Sequence, residues 1–366
     1  MKAVAVRPQL QQVGLVEVDE PALAGRHDVR VRVLEVGVCG TDKEICRFEY
    51  GQPPTGADYL VLGHEALGIV EDAGADVTRV RRGDLVAVMV RRPCAHAACS
   101  PCRGARQDFC TTGEFTERGI NQYHGFMTGI IVDHEDYLCP IPADLGDIAV
   151  LTEPLTIAEK GLEQVAAVQD RLPGSTQGHR AVVLGAGPVG LLGAMALRVR
   201  GFETYVYSRE PHSDARAQLV AATGATYVSS AERDAAQLAE QVGNIDLVYE
   251  ATGVTSVSFA VLQHLGINGI YVFTGIPGHQ GPMPTDTAAL MRSMVLKNQI
   301  VLGTVNAHRP AFETAIADLG RFRRSFPEAI GALISKRWQL EEHADLLLGR
   351  AGGIKNVISL ERAAAV

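Results

Sequence analysis

The sequence predicts an α/β chain of two domains, one mainly β and one a doubly wound parallel sheet, and three observations carry that prediction. The length, 366 residues, exceeds the roughly 250–300 residues that one hydrophobic core organises. Residues 1 to about 150 are short apolar alternations such as "HDVRVRVLEVGV", "ALGIVEDAG" and "GDLVAVMV", punctuated by glycine and Gly-Asp pairs, the pattern of a mostly antiparallel β domain. From about 148 the texture becomes apolar strands alternating with helical patterns: "RAVVLGAG", "PVGLLGAMALRVRG", "ETYVYS", "DARAQLVAATG", "IDLVYEATG". That alternation calls for parallel strands with crossover helices.

Taken from the start, "MKAVAVRPQLQQVGLVEV" reads as an alternating strand. It lacks the apolar core and small-residue cleavage site of a signal peptide, and no run approaches 18 apolar residues, so a cytoplasmic chain is expected. Hydrophobic content of 46% with 21% charged residues is globular, and the net charge of −8 argues against a nucleic-acid or anionic-membrane surface. Seven cysteines, an odd number, point to metal ligation or free thiols before disulfides.

The first chemistry-bearing stretch is "VCGTDKEI", with Cys39 in a glycine-flanked turn; 25 residues later "VLGHEALGIV" sets His64 and Glu65 side by side. A catalytic zinc needs three protein ligands and one open position. Cys39, His64 and Glu153 of "LTEPLT" can supply them, with Glu65 a further ligand or a partner that tunes the metal. Thiolate beside imidazole selects zinc over magnesium or calcium. Next, "PCAHAACSPCRGARQDFC" spaces Cys94, Cys99, Cys102 and Cys110 as C-x4-C-x2-C-x7-C. Four thiolates so close together fit a closed structural zinc site, His96 being a substitute for one of them. Cys46 and Cys139 read as structural or free thiols.

"IAVLTEPLTIAEKGLEQVAAV" then forms one or two helices, and a loop with Pro173, Gly174, Ser175 and Gly178 leads to the alternating half. There "VVLGAGPVGLLGAMAL" carries Gly185, Gly187 and Gly190 in G-x-G-x-x-G spacing between a strand and a helix. This is the context of a dinucleotide loop: a tight turn, close backbone approach to a pyrophosphate, and close helix packing at a helix N-terminus. The end of the next strand, "YVYSRE", places Ser208 and Arg209 where an acidic residue would hold the ribose of NAD. A guanidinium suits the 2′-phosphate of NADP; if Glu210 turns inward instead, NAD is held. After about 300 the pattern is mixed and ends in "NVISL", a strand expected to rejoin the first domain.

The order of "GVCGTD", "GHE", the four-cysteine lobe and "GAGPVG" resembles the zinc-dependent medium-chain dehydrogenases over essentially the whole chain. Within that superfamily "RQDFCTTGEFTERGI", "GFMTGIIVDHEDYLCPIP", "LTEPLTIAEKGLE" and "GTVNAH" are most similar to the glucose (aldose) 1-dehydrogenases. The resemblance implies a GroES-like catalytic domain over 1–165 and 303–366, with its zinc lobe near 93–111, and a Rossmann domain over 166–302. It implies NAD(P)-linked oxidation of an aldose at C1 to the aldonolactone, NADP favoured, in a homotetramer or homodimer. Cys39, His64, Glu65 and Glu153 then lie at the catalytic zinc and Thr41 relays the proton. Thr41, Glu114, Glu153 and Asn306 meet the sugar, with Gln122, His124 and His308 as further candidates. Cofactor contacts are expected from Gly185, Gly187, Pro188, Val189, Gly190, Ser208, Arg209, Thr274 and Asn306. The C-x4-C spacing departs from the family's C-x2-C. Two rivals stand beside this reading: a polyol, secondary-alcohol or amino-alcohol dehydrogenase on the same scaffold, and a non-catalytic NADPH-binding protein.

Overall fold

The computed structural model describes residues 1–174, 178–278 and 280–360, so the Ser175 of the expected loop lies outside them. The chain divides into two compact units, Met1–Thr156 with Asn306–Leu319 and Ile334–Val366, and Ile157–Val305 with Gly320–Leu333. The sequence reading gives 303–366 wholly to the first unit. Residues 320–333 instead group with the second, because the short helix Pro327–Gly331 buries Ala329 and Ile330 and packs on the helix Ala215–Ala222. The other boundary falls after Thr156, within the helix Thr152–Gln169, and not at 165.

In the first unit the strand Asp28–Val38 is the centre of a seven-stranded sheet. Its period of two is visible in the packing, Val29, Val31 and Val33 being buried while Arg30 and Arg32 alternate with them. It pairs antiparallel with Glu65–Ala73, Ile130–His134 and Lys355–Ser359, so "NVISL" does rejoin this sheet. Register decides what meets at its end. Gly37 stands opposite Glu65 and Val38 opposite Asn356, so Cys39, Glu65 and Lys355 emerge together where the central strand stops. Gly37 is obligatory there, since a Cβ would run into the Glu65 carboxylate and the Lys355 side chain. A three-stranded lobe, Arg91–Arg92, Thr116–Arg118 and Gln122–Tyr123, brackets the four cysteines.

The second unit is a six-stranded parallel sheet in the order Thr226–Ser229, Glu203–Ser208, Arg180–Leu184, Leu247–Glu250, Ile270–Phe273, Ile300–Gly303. "AVVL" is fully buried, as a strand covered by helices on both faces must be. The chain reverses its direction of winding beside Arg180–Leu184, the point at which open sheets of this kind bind ligands beyond their strand ends. No helix among the described residues is long and apolar enough to cross a membrane.

Candidate active site

Cys39 is the N-cap of the seven-residue helix Gly40–Cys46; its sulfur accepts from Thr41 N at 3.3 Å, and Asp42 Oδ2 accepts from Cys39 N at 3.0 Å. This capping box fixes the thiol. His64 Nε2 lies 3.0 Å from that sulfur, and its Nδ1 lies 3.3 Å from Asp42 Oδ1. One donor atom each from Cys39, His64 and Glu65 falls within 4.8 Å of the others.

The charges explain what the group asks for. Burial alone would strip the His64 imidazole of its proton, but the Cys39 sulfur and the Asp42 carboxylate beside it win, and the ring is held well above the ordinary histidine range. Lys355, fully buried, pairs with Glu65 and donates from Nζ to Val38 O at 3.0 Å. Burial would lower its ammonium too, and the Glu65 and Cys39 charges outweigh that. Thiol, imidazole and carboxylates in one buried spot, balanced by protons and one lysine, form a donor set that fits a divalent soft-to-borderline cation. The sequence reading offered Glu153 as a third ligand and Glu65 as a further ligand or a tuning partner; of the two, Glu65 brings a carboxylate oxygen within 4.8 Å of the Cys39 and His64 donors, where the missing Cβ of Gly37 leaves it room. Glu153 is half-buried at the start of the helix Thr152–Gln169. Its carboxyl is pushed up to about 7 by burial, with His64 opposing and Glu65 adding to the rise.

The four lobe thiols also come together, Cys94, Cys99, Cys102 and Cys110 each offering a sulfur within 4.8 Å of the rest. Hydrogen bonding from Thr111 pulls the Cys99 thiol down to about 5, toward the thiolate that binds metal. The longer first spacing is therefore no obstacle. His96 is not in the group: its Nε2 lies 2.8 Å from Glu114 Oε2 in an exposed pair. Cys46 and Cys139 are buried thiols pushed up to about 12 by burial.

Of the other sugar candidates, Asn306 has a left-handed backbone (φ 60°), and its Nδ2 donates to Glu117 Oε1 at 2.9 Å. Glu117 is buried and paired with Arg91 at 2.9 Å. Thr41 is half-buried in the turn after Cys39. His124 Nδ1 accepts from Val61 N at 3.2 Å and stacks on Tyr59, a structural role. Gln122 Nε2 donates to Gln52 Oε1 at 3.4 Å, and His308 is buried with its Nδ1 3.8 Å from Asp108.

In the second unit the glycine loop behaves as its spacing demands. Gly185 has φ +99° and donates to Tyr207 O at 2.9 Å, while a Cβ on Gly190 would strike Gly185 O. Gly187 caps the helix Pro188–Val199, and a Cβ there would meet nothing within 4 Å. That open cradle at a helix N-terminus fits a dinucleotide's pyrophosphate. Ser208 Oγ accepts from Ala186 N at 3.2 Å and donates to Glu210 Oε2 at 2.6 Å. Glu210 Oε1 stands 3.6 Å from Arg209 and 3.5 Å from Arg216. Arg209 is 91% exposed. Thr274 Oγ1 donates to Glu250 O at 2.6 Å, beyond the end of Ile270–Phe273.

Sequence reasoning missed Asp42 as the partner of His64, Lys355 as the partner of Glu65, Glu117 behind Asn306, and Arg216. A lysine opening the apolar strand "KNVIS" was the one visible signal among them.

The chain is similar to known proteins over its length. Residues 146–360 match the family described as glucose dehydrogenase C-terminus, and residues 25–143 match the alcohol dehydrogenase GroES-like domain. The glucose 1-dehydrogenase of Methanocella arvoryzae is 37% identical over 361 residues, covering 98% of this chain and 99% of that protein. The glucose 1-dehydrogenase of Thermoproteus tenax is 38% identical, covering 99% and 100%. Among solved structures, Haloferax mediterranei glucose dehydrogenase in complex with NADP, Zn and gluconolactone superposes with a TM-score of 0.89 at 32% identity, covering 99% of this chain and 100% of that one.

Proposed function

The chain belongs to the glucose 1-dehydrogenase family of zinc-dependent medium-chain dehydrogenases, and on that premise we propose that it oxidises a glucose-like aldose at C1 to the aldonolactone with NADP as hydride acceptor. The observation that carries the proposal is the Cys39–His64–Glu65 donor group, in a chain whose Haloferax relative was solved with NADP, Zn and gluconolactone.

When bound, zinc supplies Lewis acidity that lowers the pKa of the anomeric hydroxyl, and NADP supplies the carbon that accepts the hydride. Cys39, His64 and Glu65 would hold the catalytic ion, with Glu153 adjoining, and Cys94, Cys99, Cys102 and Cys110 a structural one. Asp42 orients the His64 ring and keeps its Nε2 facing the thiol. Lys355 balances the carboxylate charge at Glu65. Thr41 relays the proton leaving the anomeric hydroxyl, its own hydroxyl hydrogen passing outward to solvent as it accepts. Glu114, Glu153 and Asn306 pair with the sugar's remaining hydroxyls, each of which would cost about 1–3 kcal/mol if left unmatched. Gly185, Gly187, Pro188, Val189, Gly190 and Thr274 bind the dinucleotide, with Ser208 and Arg209 at its ribose.

The homodimer or homotetramer expected of this family is part of the same proposal. It is supported by the helix Thr287–Leu296, which buries none of its residues and leaves Met291, Val295 and Leu296 more than 60% exposed.

Purified enzyme screened with NADP and NAD against glucose, galactose, xylose, sorbitol, threonine and simple alcohols tests the reading, alongside metal analysis. NADPH formation with aldoses and two zinc ions per chain are expected. Cofactor reduction only with non-sugar alcohols would overturn it.

A further inference from the structure

A cavity of about 410 Å³ opens in the first unit, walled by residues 48–52 together with Phe115, Glu117, Ile120 and Asn121. Its walls are braced: Gln52 N donates to Ile120 O at 2.9 Å, Gln122 N to Gln52 O at 2.8 Å, and Asn121 Nδ2 to Phe115 O at 3.0 Å. Three aromatic rings line it, Phe48, Tyr50 and Phe115. Phe48 holds a left-handed backbone at φ 63°, a conformation bulky residues rarely adopt. Tyr50 is a large amphipathic ring and is 49% exposed. Gln52, Asn121 and the buried Glu117 carboxylate add polar groups.

Two links tie the cavity to the reaction site. Glu117 accepts from Asn306, the residue assigned above to the sugar. Phe48 lies two residues past the end of the helix that Cys39 caps, a helix about 10 Å long. Carbohydrate chemistry matches this lining. A pyranose ring offers an apolar C–H face to aromatic side chains and a rim of hydroxyls to amides and carboxylates. Glu117 keeps Asn306 and Arg91 as partners whatever fills the cavity, so the polar lining is fixed in place, ready to meet a ligand's hydroxyls.

We infer that this cavity is a subsite for a second sugar ring, joined by a glycosidic bond to the aldose undergoing oxidation, so that reducing disaccharides are substrates. The inference rests on the aldose reading. Its chemistry is the same C1 oxidation: C1 gives a hydride to NADP, the anomeric hydroxyl gives a proton, and the glycosidic bond stays intact.

The test compares kcat/KM with NADP for glucose, cellobiose and maltose in the wild type, Tyr50→Ala and Phe115→Leu. Disaccharide oxidation is expected in the wild type. In each variant the disaccharide-to-glucose ratio of kcat/KM should fall about tenfold or more, with unchanged Tm marking intact folding. Glucose oxidation without disaccharide oxidation, or equal losses on all three sugars, would sink the subsite and leave the aldose reading standing. Failure to oxidise any sugar would remove both.

Discussion

Asp42 and His64 face each other in the core of the first unit, a carboxylate oxygen 3.3 Å from ring Nδ1, while the opposite nitrogen meets the Cys39 sulfur at 3.0 Å. Asp42 also accepts from Cys39 N, so one buried side chain sets both the helix cap and the imidazole. Asp42→Asn keeps an oxygen for the cap and removes the charge behind the ring. Loss of such a partner typically costs about 10- to 100-fold in metal affinity or activity. Zinc content after dialysis against dilute chelator should fall together with kcat/KM. Retention of both would reduce Asp42 to a cap.

The lobe calls for a separate experiment. Between Pro93 and Cys110 the chain has short helical turns and much exposed loop, and its buried residues are Cys99, Cys102, Gln107 and Asp108. Cys102→Ser should therefore release one of two zinc ions per chain and lower Tm by about 2–4 °C for each kcal/mol lost. His96→Ala should change neither, since His96 only pairs with Glu114 on the surface. Equal zinc loss from the histidine variant would restore the alternative ligand set.

Much of this was legible in the chain. The alternation of Val29, Val31 and Val33 reported a half-buried strand, and the glycine spacing after "RAVVL" reported the turn at Gly185, because both follow from local geometry. The partners Lys355 and Glu117 were not legible. Lys355 lies 290 residues from Glu65 in sequence and reaches it only through strand register, and nothing local to "IKNV" specifies which carboxylate it meets. The closeness of the Glu65 carboxylate to Cys39 and His64 had the same origin, since it turned on the missing Cβ of Gly37.

Cofactor choice concentrates in a few atoms beyond the strand Glu203–Ser208. Arg209 and Arg216 both lie near the Glu210 carboxylate, which Ser208 holds from its other oxygen. A 2′-phosphate would meet two guanidinium groups there. Arg209→Ala should raise KM for NADP roughly 10- to 100-fold, the worth of one charge-assisted hydrogen bond, and leave NAD nearly untouched. Arg216→Ala should act in the same direction. Initial rates over a range of both cofactors decide it; parallel losses on NAD and NADP would rule out a phosphate contact.

Acid stability should depend on Glu135. Burial acts to raise its pKa, but hydrogen bonds from Thr78 N, His27 and Arg79 N prevail and bring it from 4.5 to about 2. The folded state thus binds fewer protons than the unfolded one below pH 4.5. The stabilisation is complete above that value and is lost as pH falls toward 2. The Tm difference between wild type and Glu135→Gln should be constant from neutral pH to about 5 and shrink below. A difference independent of pH would show that the carboxylate's charge contributes nothing.

Lys355 presents the sharpest stability test. Both Lys355 and Glu65 are about 1% exposed, and their pairing places two charges where neither is hydrated. Removing one partner of such a pair leaves the other uncompensated and typically costs about 3–5 kcal/mol, whereas replacing both by groups of similar shape is often neutral. Lys355→Met should accordingly lose most of that amount in urea denaturation. The double variant Lys355→Met with Glu65→Gln should recover a large part of it. Activity should not return with stability, because the double variant has also lost a carboxylate from the Cys39–His64 group. Recovery of both would mean that Glu65 serves only to neutralise the lysine.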